Sequence, residues 1–256
     1  MIMYRNIFDT HAHYDDSRFD GDRDQLLRSL PQKGISQIIN CACDYKSCLT
    51  TLEISQNHSF AYAALGVHPH EADDLKEEDF SRIKELLKSE KVVAVGEIGL
   101  DYHYDFSPRE KQYTVFEKQL VLAKELNLPV IIHDREAHED TLNLLKAHRP
   151  KGVVHCFSGS VEMAKEVLKL GMYIGIGGAV TFKNAKKPVE VVKEIPLEYL
   201  LLETDAPYMT PVPFRGQRCD SAHIAFTAQT IAQIKGIDAQ QLIDICNENA
   251  HRLFMK

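Results

Sequence analysis

An eightfold alternation between two periodicities constrains this chain more than any other feature. Short runs rich in Val, Ile, Leu and Ala occur at 6–9, 37–41, 61–66, 92–97, 129–133, 152–155, 173–177 and 199–203. Most are continuous rather than interleaved with polar residues, the mark of strands buried on both faces. The stretches between them are amphipathic. Their spacing predicts helices over 22–33, 45–57, 77–89, 108–126, 136–148, 161–170, 186–194, 222–234 and 239–247. Ser107, Pro108 and Glu110 read as a capping box with proline in the first turn, and Gly171 suits the position just past a helix end.

Eight strand–helix units share 256 residues at about 32 each, the size expected of a (β/α)8 TIM barrel. A doubly wound α/β sheet would more often show a glycine-rich phosphate loop after the first strand. Here that strand runs into Asp9-Thr10-His11-Ala12-His13 instead. With no linker or low-complexity tract, the expectation is one α/β barrel domain over 1–256.

Charge and cysteine content narrow the function classes. Thirty Lys and Arg against 37 Asp and Glu give a net charge of −7, which argues against coating a duplex through a broad basic face. Divalent cations held in a local site can still attract phosphate to an acidic protein. No apolar run approaches the ~20 residues that cross a bilayer. The first six residues carry no apolar signal-peptide core, so the expected location is the cytoplasm, with no membrane partner. The six cysteines are expected to be reduced, and Cys41 and Cys43 to be buried strand residues rather than a metal-binding pair. Oligomeric state leaves no readable signature.

The polar residues fall where strands end. His11 and His13 follow the first run, His68 the third, Glu97 closes the fourth, His133 the fifth, His155 the sixth and Asp205 the eighth. In a barrel these ends converge on the C-terminal rim, where catalytic residues of this fold lie. Imidazoles and carboxylates sharing one cup suit borderline divalent metals. His68, before Pro69, reads either as a turn histidine or as a group that supports a ligand or contacts phosphate. Asp101 reads either as an acceptor that orients a ligand histidine or as a cap.

The segments Phe8–His13, Gly96–Asp101, Phe106–Glu110, Pro129–His133, His155–Gly159 and Glu203–Tyr208 closely resemble the TatD-type metal-dependent deoxyribonucleases, in order and over nearly the whole chain. The resemblance implies a (β/α)8 metallohydrolase. It places one divalent ion on His11, His13, Glu97 and Asp205, and a second on His133 and His155, with Glu97 bridging. Relatives in the wider amidohydrolase-like group bridge with a carbamylated lysine, and a glutamate stands there in this chain. One departure is clear: where the family usually has an Arg-Asn-Glu-Pro-like stretch, this chain reads Arg218-Cys219-Asp220-Ser221.

Two such ions suit phosphodiester hydrolysis, with Asp205 as proton acceptor, Glu97 as bridge and His68 or Arg215 neutralising phosphate oxygens. Arg135 is a further candidate, read as a solvated loop charge. Phe157, Tyr208 and Phe214 are placed to stack bases, while Tyr102 reads as loop packing. A cup at a barrel mouth admits a strand end, which points to 3′–5′ exonucleolytic trimming of single-stranded or frayed DNA. The same ions could instead hydrolyse a carbonyl bond in a small amide, a lactone or an aminoacyl ester on tRNA. A purely structural metal would more often be enclosed by cysteines. Histidine-rich ligation favours zinc, manganese, iron or nickel; the resemblance implies magnesium or manganese.

Overall fold

The β-branched runs form eight strands in the computed structural model, which describes residues 4–255: β1 (Ile7–Ala12), β2 (Ile35–Cys41), β3 (Ala61–Leu65), β4 (Val92–Asp101), β5 (Val130–Arg135), β6 (Gly152–Val154), β7 (Tyr173–Ile176) and β8 (Leu200–Leu202). Nine α-helices accompany them among the described residues: α1 (Arg23–Ser29), α2 (Tyr45–Asn57), α3 (Glu77–Leu86), α4 (Arg109–Leu126), α5 (His138–His148), α6 (Val161–Lys169), α7 (Lys186–Glu194), α8 (Ile224–Lys235) and α9 (Ala239–Phe254). All strand pairs are parallel and run in sequence order from β1 to β8. The ring closes where β1 meets the segment after β8. Asp205 N–H donates to His11 O at 2.9 Å, His13 N–H to Ala206 O at 2.6 Å, and Thr10 Oγ1 to Leu202 O at 3.1 Å. The architecture is the expected single-domain TIM barrel.

Neighbouring strand residues divide between two apolar layers, as the two-residue period of a strand requires. Ile38, Val130, Val154, Ile174 and Leu200 pack with helix residues such as Leu27, Phe116, Val167 and Ile231. Phe8, Ile39, Ala94, Ile131, Val153, Tyr173 and Leu201 form the second layer, joined by Ala250 and Phe254 of α9. That second layer is the barrel interior, with α9 closing its floor. The period then carries upward: His133 stands two residues beyond Ile131, His155 two beyond Val153, and Glu203 two beyond Leu201. Side chains at these positions face the barrel axis above the apolar plug.

Several boundaries differ from the sequence expectation. Pro31 ends the first helix early, because its ring cannot continue the helical hydrogen bonding, and 31–33 forms a separate tight turn. Strand β4 runs four residues past Glu97, so Glu97 lies inside the strand at a register shift between Val95 and Ile98. The final helix continues to Phe254, held by Asn249, whose amide donates to Leu197 O and Leu200 O at 2.7 and 2.9 Å. The capping box at α4 does not form. Ser107 Oγ instead donates to His70 O at 2.8 Å and accepts from Asp73 N–H at 3.0 Å, fastening the preceding loop. No described helix is long and apolar enough to cross a membrane.

Candidate metal centre and active site

Residues from seven of the eight strand–loop units converge at the C-terminal mouth. His11 and His13, two apart on extended chain, face the same side, and their Nε2 atoms lie 3.0 Å apart. Glu97 is buried between two sets of imidazoles. Its Oε2 lies 3.3 Å from His11 Nε2 and 3.4 Å from His13 Nε2. Its Oε1 lies 2.6 Å from His155 Nε2, 2.7 Å from His133 Nδ1 and 3.7 Å from His68 Nε2. Asp205 adopts φ 60°, a left-handed conformation that Asp tolerates better than most residues. Its Oδ1 is 3.5 Å from His13 Nε2 and 3.8 Å from His11 Nε2.

Four overlapping groups bring ligand atoms within 4.8 Å of one another: His11–His13–Asp205, His11–Glu97–His155, His13–Cys43–Glu97 and His68–Glu97–His133. This donor set fits divalent ions: unprotonated imidazole nitrogen and ionised carboxylate oxygen are the ligands borderline metals prefer. Outer groups fix the rings. His13 Nδ1 meets the acceptor Cys41 O at 2.8 Å, which holds a proton there and turns Nε2 toward Glu97 and Asp205. His133 Nε2 is held by Asp101 Oδ2 at 3.1 Å, which realises the orienting role open to Asp101 and leaves Nδ1 toward Glu97.

Burial opposes charge on every group here, and neighbours decide the outcome. For Glu97 the imidazoles of His155, His11 and His68 outweigh burial and hold its carboxyl well below the usual range. Asp205 is likewise held down, against burial, first by its bond to His13 and then by the surrounding imidazole cluster. Burial wins at His11, pushed down to about 4, and at His68, so both rings are neutral. Burial also opposes a proton on His133, but Asp101 and Glu97 raise it to about 9. Metal must compete with protons at such nitrogens.

The remaining candidates divide. Tyr208 is exposed near the mouth, 6.4 Å from the His13 ring, with the Arg18 guanidinium 4.0 Å from its centroid. Phe157 is only 4% exposed and packs in the helix-facing core, so it is closed to a base. Arg215 does not join the cluster; its guanidinium lies 3.8 Å over Phe182 and donates to Thr210 O. Phe214 packs edge-on against Phe226 and His223 at 4.8 and 5.3 Å. Tyr102 is loop packing, as expected, its hydroxyl donating to Asp140 at 2.7 Å. Cys41 is buried in β2, whereas Cys43 lies beyond the strand, its Sγ 3.9 Å from His13 Nδ1, and so enters the centre rather than the core.

Three groups at the centre had no reading from sequence. Glu203 is buried beneath His155, accepts from Cys156 N–H and is pushed up to about 8 by burial. Gly175 makes room for it, because a Cβ there would collide with Glu203 Oε2. His70 Nε2 lies 2.9 Å from Asp101 Oδ2, joining a second imidazole to the carboxylate that holds His133. Asp9 anchors the mouth from outside, accepting from Thr204 Oγ1 and Ser221 Oγ, each at 2.6 Å. The divergent stretch after β8 is therefore structural: Ser221 ties to Asp9, and Arg218 pairs with Asp22 at 2.6 Å.

A family profile described as TatD related DNase matches residues 8–255 of the chain. The chain belongs to this family. It is 46% identical over 251 residues to the uncharacterized metal-dependent hydrolase YabD of Bacillus subtilis, covering 97% of this chain and 98% of that protein. It is 35% identical over 257 residues to the 3′-5′ ssDNA/RNA exonuclease TatD of a Rahnella strain, covering 97% and 98%. The crystal structure of YJJV, a TatD homologue from Escherichia coli, superposes with a TM-score of 0.92 at 36% identity, covering 97% and 98%. This TatD-family chain is a metal-dependent hydrolase acting on ester bonds, and its His, Glu and Asp clusters provide the metal ligands such an enzyme needs.

Proposed function

We propose that this protein is a deoxyribonuclease that trims single-stranded or frayed DNA ends in the 3′–5′ direction. The observation that carries this reading is the division of Glu97, one oxygen toward His11 and His13 and the other toward His133 and His155. On that basis His11, His13, Asp205 and Glu97 would hold one divalent ion, and His133, His155 and Glu97 a second, as magnesium, manganese or zinc. When bound, such a pair activates water and stabilises charge on phosphoryl oxygens. Asp205, ionised and at the mouth, accepts the proton of the attacking water. Neutral His68, beside Glu97 Oε1, is placed to donate to a phosphate oxygen. Asp101 and the Cys41 carbonyl keep His133 and His13 from turning as charge develops. Support for nucleic acid comes from full-length relatives named 3′-5′ ssDNA/RNA exonuclease.

The test is a metal-depleted enzyme given end-labelled single-stranded DNA, its closed circular form, and a panel of carboxylic esters and amides, with one metal restored at a time. Nucleotides released only from the linear 3′ end are expected. Equal cleavage of the circle, or turnover confined to the carbonyl substrates, overturns the reading.

A further inference from the structure

We propose that Tyr104 and Phe106, with Arg135, form a stacking platform for the bases of a single-stranded nucleic acid entering the metal centre. The inference deepens the nuclease reading above and rests on it. Both aromatic residues belong to the loop between β4 and α4, just past Asp101. Their rings stack on one another with centroids 5.2 Å apart and planes 21° from parallel. Phe106 is 68% exposed and Tyr104 47%. Such adjacent apolar area left in water marks a contact surface more often than a scattered single residue does.

The pair is continuous with the reaction site. The Phe106 ring meets His70 edge-on at 4.7 Å, and His70 shares Asp101 with the metal-facing ring of His133. The loop is also built in place. Asp101 Oδ1 accepts from the N–H groups of His103 and Tyr104 at 3.0 and 2.9 Å, and Ser107 ties its far end to the His70 carbonyl. A platform held this way loses little freedom when a ligand binds.

Charge selects the occupant. The Arg135 guanidinium lies 4.6 Å from the Tyr104 centroid and, among the described residues, makes no ion pair. Elsewhere on the loop Asp105 pairs with Arg109, and His103 Nδ1 meets Glu136, each at 2.7 Å. Tyr104 thus contacts both Arg135 and Phe106, and Phe106 keeps most of its surface in solvent. A flat π-face beside one uncompensated guanidinium suits a base and its phosphate, and stacking of this kind tolerates any sequence. An apolar peptide would not need the charge.

The test uses the manganese-loaded enzyme and a phosphorothioate-linked single-stranded DNA carrying 2-aminopurine near its 3′ end, beside an abasic version of the same backbone. Cleavage is followed separately on the unmodified oligonucleotide. Wild type should bind the base-bearing strand about 5- to 50-fold more tightly than the abasic one. Phe106→Ala should erase that difference, and Phe106→Trp should keep it. A preference that survives Phe106→Ala overturns the platform, even where trimming proceeds and the nuclease reading stands. Quenching that depends on Phe106 without any cleavage keeps the platform and removes the nuclease reading. Neither binding nor cleavage overturns both.

Discussion

In the proposed mechanism Glu97 and Asp205 carry separate roles, bridge and proton acceptor, and their surroundings differ accordingly. Glu97 is enclosed, with imidazoles against both oxygens, while Asp205 opens toward solvent with 19% of its side chain exposed. Asp205→Asn should therefore lower kcat by about 10²–10⁴-fold with an unchanged circular dichroism spectrum, because it removes the proton acceptor but no core packing. Metal content distinguishes the ligands. Glu97→Gln should reduce the loading of both sites in elemental analysis of the purified protein, whereas His133→Ala should leave one of the two filled. Their convergence at one mouth was legible from sequence because a strand end is visible as a change of periodicity. Phe157 was misread because distance past a strand end says nothing about which way a loop side chain turns; it turns into the helix-facing core.

Strands β1 and β8 have few ladder bonds to each other, and a polar cluster strengthens the seam. Asp9 accepts from Thr204 and Ser221 and also receives the His11 N–H at 3.3 Å, so it fixes the segment that presents both rim histidines. Burial raises its pKa from 3.8 to about 6 despite these bonds. The folded chain then holds this proton more tightly than the unfolded chain. The corresponding stability is fully present below about pH 4 and is lost as pH rises through about 6. Urea titrations across that window should show wild type losing on the order of 3 kcal/mol relative to Asp9→Asn, whose own side chain does not titrate. Nothing in the sequence marked this seam. Asp9 and Ser221 are 212 positions apart, and the sequence noted the stretch around Ser221 only as a departure from the family pattern.

Across the whole molecule, the metal centre is a tie between strands that meet only through the closed ring. The ligand atoms proposed for it come from β1, β4, β5 and the loops after β1, β6 and β8, so an ion bound there would stabilise only the folded arrangement. Stripping the metal with a chelator should lower Tm by about 5–10 °C, and manganese should restore it, as read by calorimetry. The barrel itself was readable, because each strand and helix announces itself through local periodicity and because eight such units in this length have few packings. The gathering of histidines and acids at the rim followed from that, since a parallel closed sheet must gather its strand ends. What only tertiary structure decided were the residues whose roles depend on a partner far along the chain, namely Glu203 under His155, His70 on Asp101 and Asp9 on Ser221, and the loop geometry that stacks Phe106 on Tyr104. A period in sequence records which face a residue presents to its own element. It holds no record of what a loop will meet once the ring has closed.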